Sequence, residues 1–443
     1  MRALLVGLLL ATSTQAQAQN LASPPAAAVQ DPHASHGHAP MLFPPREASG
    51  TSWLPDDTPM FGVDRTWRGW NVMLHGVAFA QFLYEPGDVH RTGGFSEAQL
   101  GSVNWGMLMA RRAVGAGRVG LRMMVSLEPW TISGCGSLNY LATGEMCDGD
   151  TIHDRQHPHD LIMELAGDYD RPLRGAIRWQ VYAGLAGEPA LGPSGFPHRV
   201  SALTNPVAPI AHHWLDSSHI TYGLVTTGLY GPRWKAEMSA FNGREPDTNR
   251  KDLDLGALDS VAGRLTILPT GRLALQVSAG HLREAEQEFE PQPRTDVNRF
   301  TASATYNRSL AEGGVWATTL AYGLNSGKEI IPEGSFDLTT YAVLLESAWT
   351  LRERHTLFGR GEIVEKPGHD LHAHAFTTSV FTIGKLQGGY VRHFQPRPGG
   401  AIVGIGGTAA VSVVPIELVP QYTTRTPVSL GLFLTVRPPR HVM

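Results

Sequence analysis

The sequence predicts an all-β protein, and within that class a transmembrane antiparallel β-barrel of about 16 strands. Apolar and polar residues alternate with a period of two from Trp67 almost to the end of the 443 residues, as in strands with one apolar face. Charged residues make up 17% of the chain, whereas about 25% is usual in soluble proteins. After the first residues, no run of about 20 apolar residues predicts a membrane-spanning helix.

The alternation is clearest in the stretch WNVMLHGVAFAQFLY, residues 70–84. Its even positions are all apolar, aromatic or glycine, while Asn71, His75 and Gln81 occupy odd positions. Aromatic residues recur near the two ends of such apolar faces. A membrane barrel has this pattern because lipid surrounds its wall, water wets its lumen and aromatic girdles mark the interfaces.

The same pattern predicts sixteen strands, with short and long connections alternating strictly between them. Short turns are predicted near 114–117, 170–175, 231–232, 269–271, 309–314, 352–354 and 395–399, and every other connection is longer. The strands are predicted at 70–84, 101–113, 118–130, 161–169, 176–187, 217–230, 233–242, 258–268, 272–283, 297–308, 315–324, 337–350, 355–365, 380–394, 400–413 and 427–437. A soluble β-sandwich also alternates. However, short periplasmic turns, long outer loops and an even strand number are typical of outer-membrane barrels.

The ends of the chain predict its destination. Residues 1–18 have a basic Arg2, a short apolar core and an A-x-A cleavage site at 16–18, which predicts a cleaved signal peptide. Residues 19–57 are rich in Pro, Ala, Ser and His, and are predicted to form a flexible periplasmic tail. Residues 58–443 then form the barrel. The predicted localisation is the bacterial outer membrane.

The last predicted strand carries the clearest family resemblance. The segment SLGLFLTV, residues 429–436, has a polar residue, then Gly431, then apolar residues two apart. It resembles the C-terminal β-signal of outer-membrane proteins, with Val436 where that signal has Phe. Residues 70–437 as a whole resemble porin-like outer-membrane barrels, without a specific family. The resemblance implies a channel, with membrane lipid, small solutes or ions, and further copies of the chain as partners. The net charge of −4 and the lack of a basic tract argue against nucleic acid.

The parity of the strands predicts which charged side chains face the lumen. The cations slightly outnumber the anions, which favours anions in an open channel; the alternative is a closed lumen filled by salt bridges. The predicted pore-lining residues are Arg118, Arg122, Glu128, Glu164, Asp168, Arg178, Lys235, Glu237, Arg264, Arg272, Arg299, Glu346, Arg360, Glu362 and Lys385.

Two histidine-rich segments are candidates for a metal site. The stretch HDRQHPHD (153–160) ends the second long loop, and the Pro-rich third long loop (188–216) resembles the inward-folded constriction loop of porins. If the two segments meet, imidazoles and carboxylates suit Zn or Cu. The alternatives are a hydrogen-bonded network that fixes loop shape, and a catalytic site. The candidate ligands are His153, His157, His159, His212, His213, Asp216 and His219.

The predicted tail supplies further histidines in the stretch DPHASHGHAPM. His33, His36 and His38, with Met41 nearby, resemble the His/Met-rich extension of copper-resistance outer-membrane barrels. This resemblance implies a role in copper or zinc homeostasis, since short His-rich tracts bind metals. The alternative is a low-complexity tail that happens to contain histidine.

The two cysteines, Cys135 and Cys147, lie close together in an exported chain, and we expect a disulfide between them. In the chain-entropy account such a bond stabilises by about 3 kcal/mol.

Three functions remain open from the sequence. The first is a channel, passive or gated. The second is a hydrolase at the outer rim, for which Asp154, His157 and Asp160 supply a His/Asp pair without a recognisable nucleophile motif. The third is a closed structural or adhesive barrel.

Overall fold

The wall of the molecule is a single closed sheet of sixteen antiparallel strands. The computed structural model describes residues 46–86, 97–147, 149–287, 291–332, 334–373, 375–395, 397 and 399–440. The predicted signal peptide, most of the predicted tail, and His33, His36 and His38 lie outside the described residues. The wall strands are β2 Trp70–Glu85, β4 Asn104–Val114, β5 Gly117–Val125, β8 Ile162–Arg174, β9 Ile177–Gly187, β10 Thr221–Tyr230, β11 Trp234–Phe241, β12 Ser260–Thr270, β13 Leu273–Glu286, β14 Thr295–Ser309, β15 Val315–Ile331, β16 Gly334–Leu351, β17 His355–Pro367, β18 Val380–Phe394, β19 Ile402–Val413 and β20 Val428–Arg437.

Four further strands complete the sheet structure. β1 Val63–Trp67 and β3 Glu97–Gly101 pair with the two halves of β2, and β6 Ser137–Cys147 pairs with β7 Asp150–Gln156 in a separate hairpin. The helices are short: α1 Glu128–Thr131, α2 His212–Leu215 and α3 Val419–Tyr422, with 3-10 turns at Phe196–His198, Ser217–His219, Ala311–Gly313 and Ile416–Leu418. Among the described residues, no helix has both the length and the apolar character needed to cross a bilayer.

The barrel closes where the last strand meets the first. β20 pairs with β2 from Ala78↔Val436 to Tyr84↔Leu430, and each remaining wall strand pairs with its neighbours in chain order. Closure leaves no free sheet edge, which a spanning sheet requires because lipid offers no hydrogen-bond partners. The prediction of a sixteen-strand antiparallel barrel is confirmed.

The outer face of this wall is apolar. Leu121, Leu320, Leu345 and Leu432 have exposures between 50% and 66%, although burial of such side chains is the rule in soluble proteins. Aromatic residues form two girdles on this face, one toward each end of the strands. The girdle at the short-turn end contains Tyr169, Trp179, Trp234, Tyr306, Trp316, Trp349 and Tyr390, and that at the long-loop end contains Phe82, Tyr84, Phe300, Tyr322 and Tyr341.

The structure differs from the sequence prediction at the connection between β15 and β16. Both strands continue beyond the predicted ends, to Ile331 and from Gly334, so this connection is a tight hairpin and the prediction of a long loop is wrong. Strand pairing is continuous from Asn325↔Thr340 to Ile331↔Gly334. It provides hydrogen-bond partners for the backbone in residues whose weak apolar–polar alternation did not predict a strand.

The inner face is only partly polar. Met73, Phe79, Met107, Met124 and Phe433 point inward and form one buried cluster, because the polar inward positions of these strands are interrupted by apolar ones. Leu203 of the third long loop packs against this cluster. The apolar stretch therefore belongs to a packed interior and lines no open water path here.

Three segments of the chain fill the lumen. They are the inner segment (46–62), the second long loop L2 (126–161, apart from 148) and the third long loop L3 (188–220). The sequence assigned residues 46–57 to the tail, but Thr51, Ser52, Trp53 and Leu54 are buried. This part of the predicted tail therefore lies inside the barrel, where wall charges hold Glu47 and the backbone of Thr51.

Candidate functional site

The inner segment is attached to the wall by charged groups. Glu47 forms ion pairs with Arg111 and Arg122, the latter at 2.8 Å. The ammonium group of Lys235 donates to the Thr51 carbonyl at 2.7 Å. Trp53 packs edge-on against Tyr230, with ring centroids 5.5 Å apart. Polar contacts with the wall, and one aromatic contact, thus position this segment.

L3 is held against the opposite part of the wall. The Arg199 guanidinium donates to Glu346 Oε1 at 2.7 Å and also pairs with Asp216 of the same loop. Arg360 donates to the Val207 carbonyl at 2.7 Å. The Ala211 amide donates to Glu362 Oε1 at 3.0 Å. The loop therefore lies inside the barrel, as its predicted resemblance to a constriction loop implied.

The β6–β7 hairpin of L2 occupies the long-loop end of the lumen. Lys385 donates to Asn139 Oδ1 at 2.6 Å and to the Tyr140 carbonyl at 3.0 Å. Glu145 forms an ion pair with Arg250, which belongs to the long loop between β11 and β12. The predicted disulfide between Cys135 and Cys147 is present and spans a Cα–Cα distance of 5.8 Å. It links Cys135, just before the start of β6, to Cys147, the last residue of β6, beside the β6–β7 turn.

The predicted pore-lining side chains mostly lie on the inner face and are engaged with these inserts or with one another. Arg118 and Arg178 lie nearer the short-turn rim, where both pair with Asp170. The buried set comprises Arg122, Glu164, Asp168, Lys235, Glu237, Arg264, Arg299, Glu346, Arg360, Glu362 and Lys385.

Two of the predicted pore-lining residues do not lie on a wall strand. Arg272 lies in the β12–β13 turn, with its side chain 52% exposed and paired to Asp57. Glu128 lies in α1 of L2, since β5 ends at Val125, and it binds His159. Strand parity does not apply in a turn or a helix, so Arg272 is corrected to the rim, whereas Glu128 is buried in the lumen as part of L2 and not of the wall.

The two histidine-rich segments meet inside the barrel. His157 and His159 of L2 lie beside His212, His213 and His219 of L3, with neighbouring ring centroids 5.1 to 6.0 Å apart. We call these five residues the histidine cluster. All five are at most 8% exposed.

His153 does not join the histidine cluster. Its ring stacks on that of His372 at a centroid distance of 3.6 Å. Asp216 lies beside the cluster and accepts from His212 Nδ1 at 2.8 Å.

Each ring of the histidine cluster is oriented through Nδ1. His159 Nδ1 faces Glu128 Oε1 at 2.9 Å and His219 Nδ1 faces the Asp216 carbonyl at 2.7 Å. His213 Nδ1 faces Glu245 Oε1 at 3.0 Å. Because these partners are hydrogen-bond acceptors, Nδ1 carries the proton in each ring.

Burial sets the electrostatics of the histidine cluster. It lowers the pKa of His212 to about 4, although the Asp216 carboxylate opposes the shift. Burial also lowers the pKa of His157 well below its usual value, and Arg250 lowers it further. Burial likewise lowers the pKa of His159, but Glu128 outweighs it and the net shift is upward. Burial therefore favours the neutral ring in His157, His212 and His219, whereas Glu128 favours the protonated ring in His159.

Beside the histidine cluster lies a cavity of about 60 Å³ that is lined by Glu145, His213, Glu245 and Glu286. One ligand atom from each of His213, Glu245 and Glu286 lies within 4.8 Å of the others. Sequence reasoning did not find Glu145, Glu245 or Glu286, because no motif links them and only the folded loops bring them together.

In a second group, Asp247, Asp252 and Asp254, one ligand atom of each residue also lies within 4.8 Å of the others. It lies in the long loop between β11 and β12, and two of its three residues are exposed. Exposed carboxylates of this kind are common without a bound ion.

The candidate hydrolase residues do not form a catalytic pair. Asp154 Oδ1 accepts from the Leu141 amide at 2.7 Å and from the Tyr422 hydroxyl at 3.1 Å. His157 Nε2 faces Glu145 Oε1 at 3.2 Å. Asp160 is buried beside Arg250, and burial raises the pKa of its carboxyl to about 7 against the opposing effect of Arg250. These contacts stabilise the loops.

Comparisons with known proteins yield similarity of fold alone. No protein-family model matches the chain, and no curated protein matches it either. Among solved structures, the outer membrane channel DcaP of Acinetobacter baumannii is 13% identical with a TM-score of 0.49, covering 85% of this chain and 100% of its own. An anion-selective porin from Comamonas acidovorans is 11% identical with a TM-score of 0.49, covering 83% and 99%. OmpF of Salmonella typhi, in complex with daunomycin, is 8% identical with a TM-score of 0.49, covering 85% and 100%. The porin-like architecture predicted from the sequence is the architecture observed, and no specific family is assigned.

Proposed function

We propose that this protein is a bacterial outer-membrane channel for small polar solutes or ions, described here in a closed conformation. A sixteen-strand wall encloses more space than its own side chains can fill, and barrels of this size usually surround an aqueous channel. Here the chain itself occupies that space. The proposal is supported by the charged inner face of the wall and by the fact that loops and the inner segment, not the wall itself, close the lumen.

The outer surface supports the location in the membrane. Its apolar band lies between two aromatic girdles, which is the surface pattern of barrels that span a bilayer. The long loops then face the outside, and the short turns face the periplasm. The inner segment enters from the short-turn end, where Asp57 pairs with Arg272.

Polar attachment supports a gate over a permanent plug. Glu47, Thr51 and L3 are held by ion pairs and hydrogen bonds to the wall. Such groups regain hydrogen bonds from water when they are displaced, so each contact makes only a modest net contribution to the stability of the closed state. An apolar plug would instead expose its whole surface to water.

The test is single-channel conductance of refolded protein in a planar bilayer. Three chains are compared: the parent after signal removal, a variant without residues 19–44, and a variant without residues 19–62. The first deletion is the matched control because it leaves the inner segment in place. We expect low conductance from the parent and the control, and larger current steps from the second variant.

Two results would count against the proposal. If the 19–62 deletion folds, as judged by heat-dependent gel migration, and conducts no current, the inner segment is not the gate and L2 and L3 close the lumen without it. If the parent already conducts as much as the deletion, the inner segment does not close the lumen. A role in metal homeostasis and assembly into oligomers stay predictions from the sequence.

A further inference from the structure

The histidine cluster contains nitrogen atoms without hydrogen-bond partners. Nε2 of His157, His212, His213 and His219 is buried in each case and makes no hydrogen bond, although that of His157 lies 3.2 Å from Glu145 Oε1. Buried polar atoms are nearly always paired, so an unpaired one calls for an unseen ligand or water. Four in one place indicate a shared cause.

The tautomers show what kind of ligand fits. Asp216 accepts from His212 Nδ1, and Glu245 lies at hydrogen-bond distance from His213 Nδ1. His157 Nδ1 lies 3.2 Å from the Pro158 carbonyl. With the proton fixed on Nδ1, each Nε2 presents a lone pair. Metal-binding histidines are held in this way, with a carboxylate or carbonyl fixing the nitrogen that does not bind the ion.

Three of the rings are mutual neighbours. The centroid distances are 5.9 Å for His157–His212, 6.0 Å for His157–His213 and 5.4 Å for His212–His213. Zinc–nitrogen bonds of about 2 Å in tetrahedral geometry place such centroids roughly 5 Å apart. No three histidine nitrogen atoms of the described residues lie within 4.8 Å of one another, whereas the nitrogen ligands of a tetrahedral zinc ion lie roughly 3.3 Å apart. Binding therefore requires at least one pair of these nitrogen atoms to approach by about 1.5 Å or more. All three lie on loops, which can move more easily than the wall.

A carboxylate, that of Glu145, lies beside these three rings and is a candidate fourth ligand. Glu145 Oε1 lies 3.2 Å from His157 Nε2, while its other oxygen pairs with Arg250. Glu145 and His213 both line the cavity that also contains Glu245 and Glu286. This acidic cavity gives a cation a path to the histidine nitrogen atoms.

We propose that His157, His212 and His213 bind a divalent transition metal ion through Nε2, with Glu145 as the fourth ligand. Neutral imidazoles and one carboxylate favour a borderline ion such as Zn²⁺ or Co²⁺ over Mg²⁺ or Ca²⁺, which prefer oxygen ligands. The ion would tie L2 to L3 across the lumen.

The experiment titrates the full mature chain, folded in detergent and carrying no histidine tag, with Co²⁺ and then Zn²⁺. We expect a visible Co²⁺ absorption of tetrahedral type that saturates at one ion per chain and is abolished by Zn²⁺. His212→Gln and His213→Gln should each weaken the tight site by about 100-fold or more, since loss of even an outer-shell partner weakens metal sites by about 10- to 100-fold.

His198→Gln is the matched control. His198 lies in the same loop but contacts His75 and Trp105, so the variant should bind Co²⁺ as the parent does. The histidines of the tail are present in every variant and cancel in the comparison. Heat-dependent gel migration checks folding, and Glu145→Gln provides a second variant that leaves all rings in place.

Two outcomes would overturn the proposal. If the parent shows no saturable Co²⁺ absorption, the bare nitrogen atoms are hydrated by buried water. If the absorption survives in both His212→Gln and His213→Gln, the ion binds elsewhere in the chain. Metal binding requires neither an open nor a closed lumen, so neither result affects the conductance test.

Discussion

Arg199 joins L3 to the wall through Glu346, and its removal is expected to release the loop from the wall. The side chain is 1% exposed and lies between the carboxylates of Glu346 and Asp216, which are equally buried. Arg199→Met retains much of the aliphatic volume and removes the charge. Breaking a buried ion pair typically costs about 3 to 5 kcal/mol, because the remaining carboxylate is left without its partner.

The lower end of that range applies here. Glu346 keeps Arg360 at 3.1 Å and Ser201 at 2.9 Å, and Asp216 keeps His212 at 2.8 Å. We therefore expect the docked loop to lose about 3 kcal/mol, which corresponds to a factor of roughly 150 in the opening equilibrium.

Hydrogen exchange of the L3 amides measures this opening directly. The amides exchange when the loop leaves the wall, so their exchange rate is proportional to the population of the open state. In Arg199→Met, exchange across residues 196–219 should accelerate by about two orders of magnitude while the wall strands stay unchanged. Arg352→Gln is the control: its pair with Glu312 is 75% and 64% exposed, and exposed pairs contribute about 0 to 1 kcal/mol. An acceleration below about threefold in Arg199→Met would refute the conclusion that buried charge pairs hold the loop inside.

Three further changes test other parts of the structure. Replacing Cys135 and Cys147 with serine should destabilise the L2 hairpin by about 3 kcal/mol, seen as faster proteolysis of L2 while heat-dependent gel migration of the barrel stays normal. Leu345→Arg places a charge on the mid-wall face, where the parent side chain is 51% exposed. It should lower the free energy of unfolding in lipid vesicles by about 2 to 4 kcal/mol, and an unchanged urea midpoint would argue that this face does not contact lipid. Glu47→Gln leaves two buried wall arginines with one partner fewer, so exchange at residues 46–54 should rise by roughly 100-fold while exchange in L3 stays constant.

The sequence determined the wall of this protein because side-chain direction in a strand is a local property. Successive residues point to opposite faces, so alternation alone identified all sixteen strands and their lipid-facing side. Val119, Leu121 and Met123 illustrate this: their parity was correct without any knowledge of the neighbouring strands. The disulfide was predictable for a similar reason, since Cys135 and Cys147 lie close together in the chain.

The contents of the lumen were decided only by the tertiary structure. Glu47 belongs to a segment whose composition indicates a tail, yet it lies beside Arg122 because the closed wall brings these distant residues together. The sequence proposed that two histidine-rich loops meet, but it gave no means of separating His153, which stacks on His372, from His157. Loop contacts depend on closure of the whole barrel and on pairing of buried charges. Local periodicity contains no information about either, so the wall was determined by the sequence pattern and the interior by the fold.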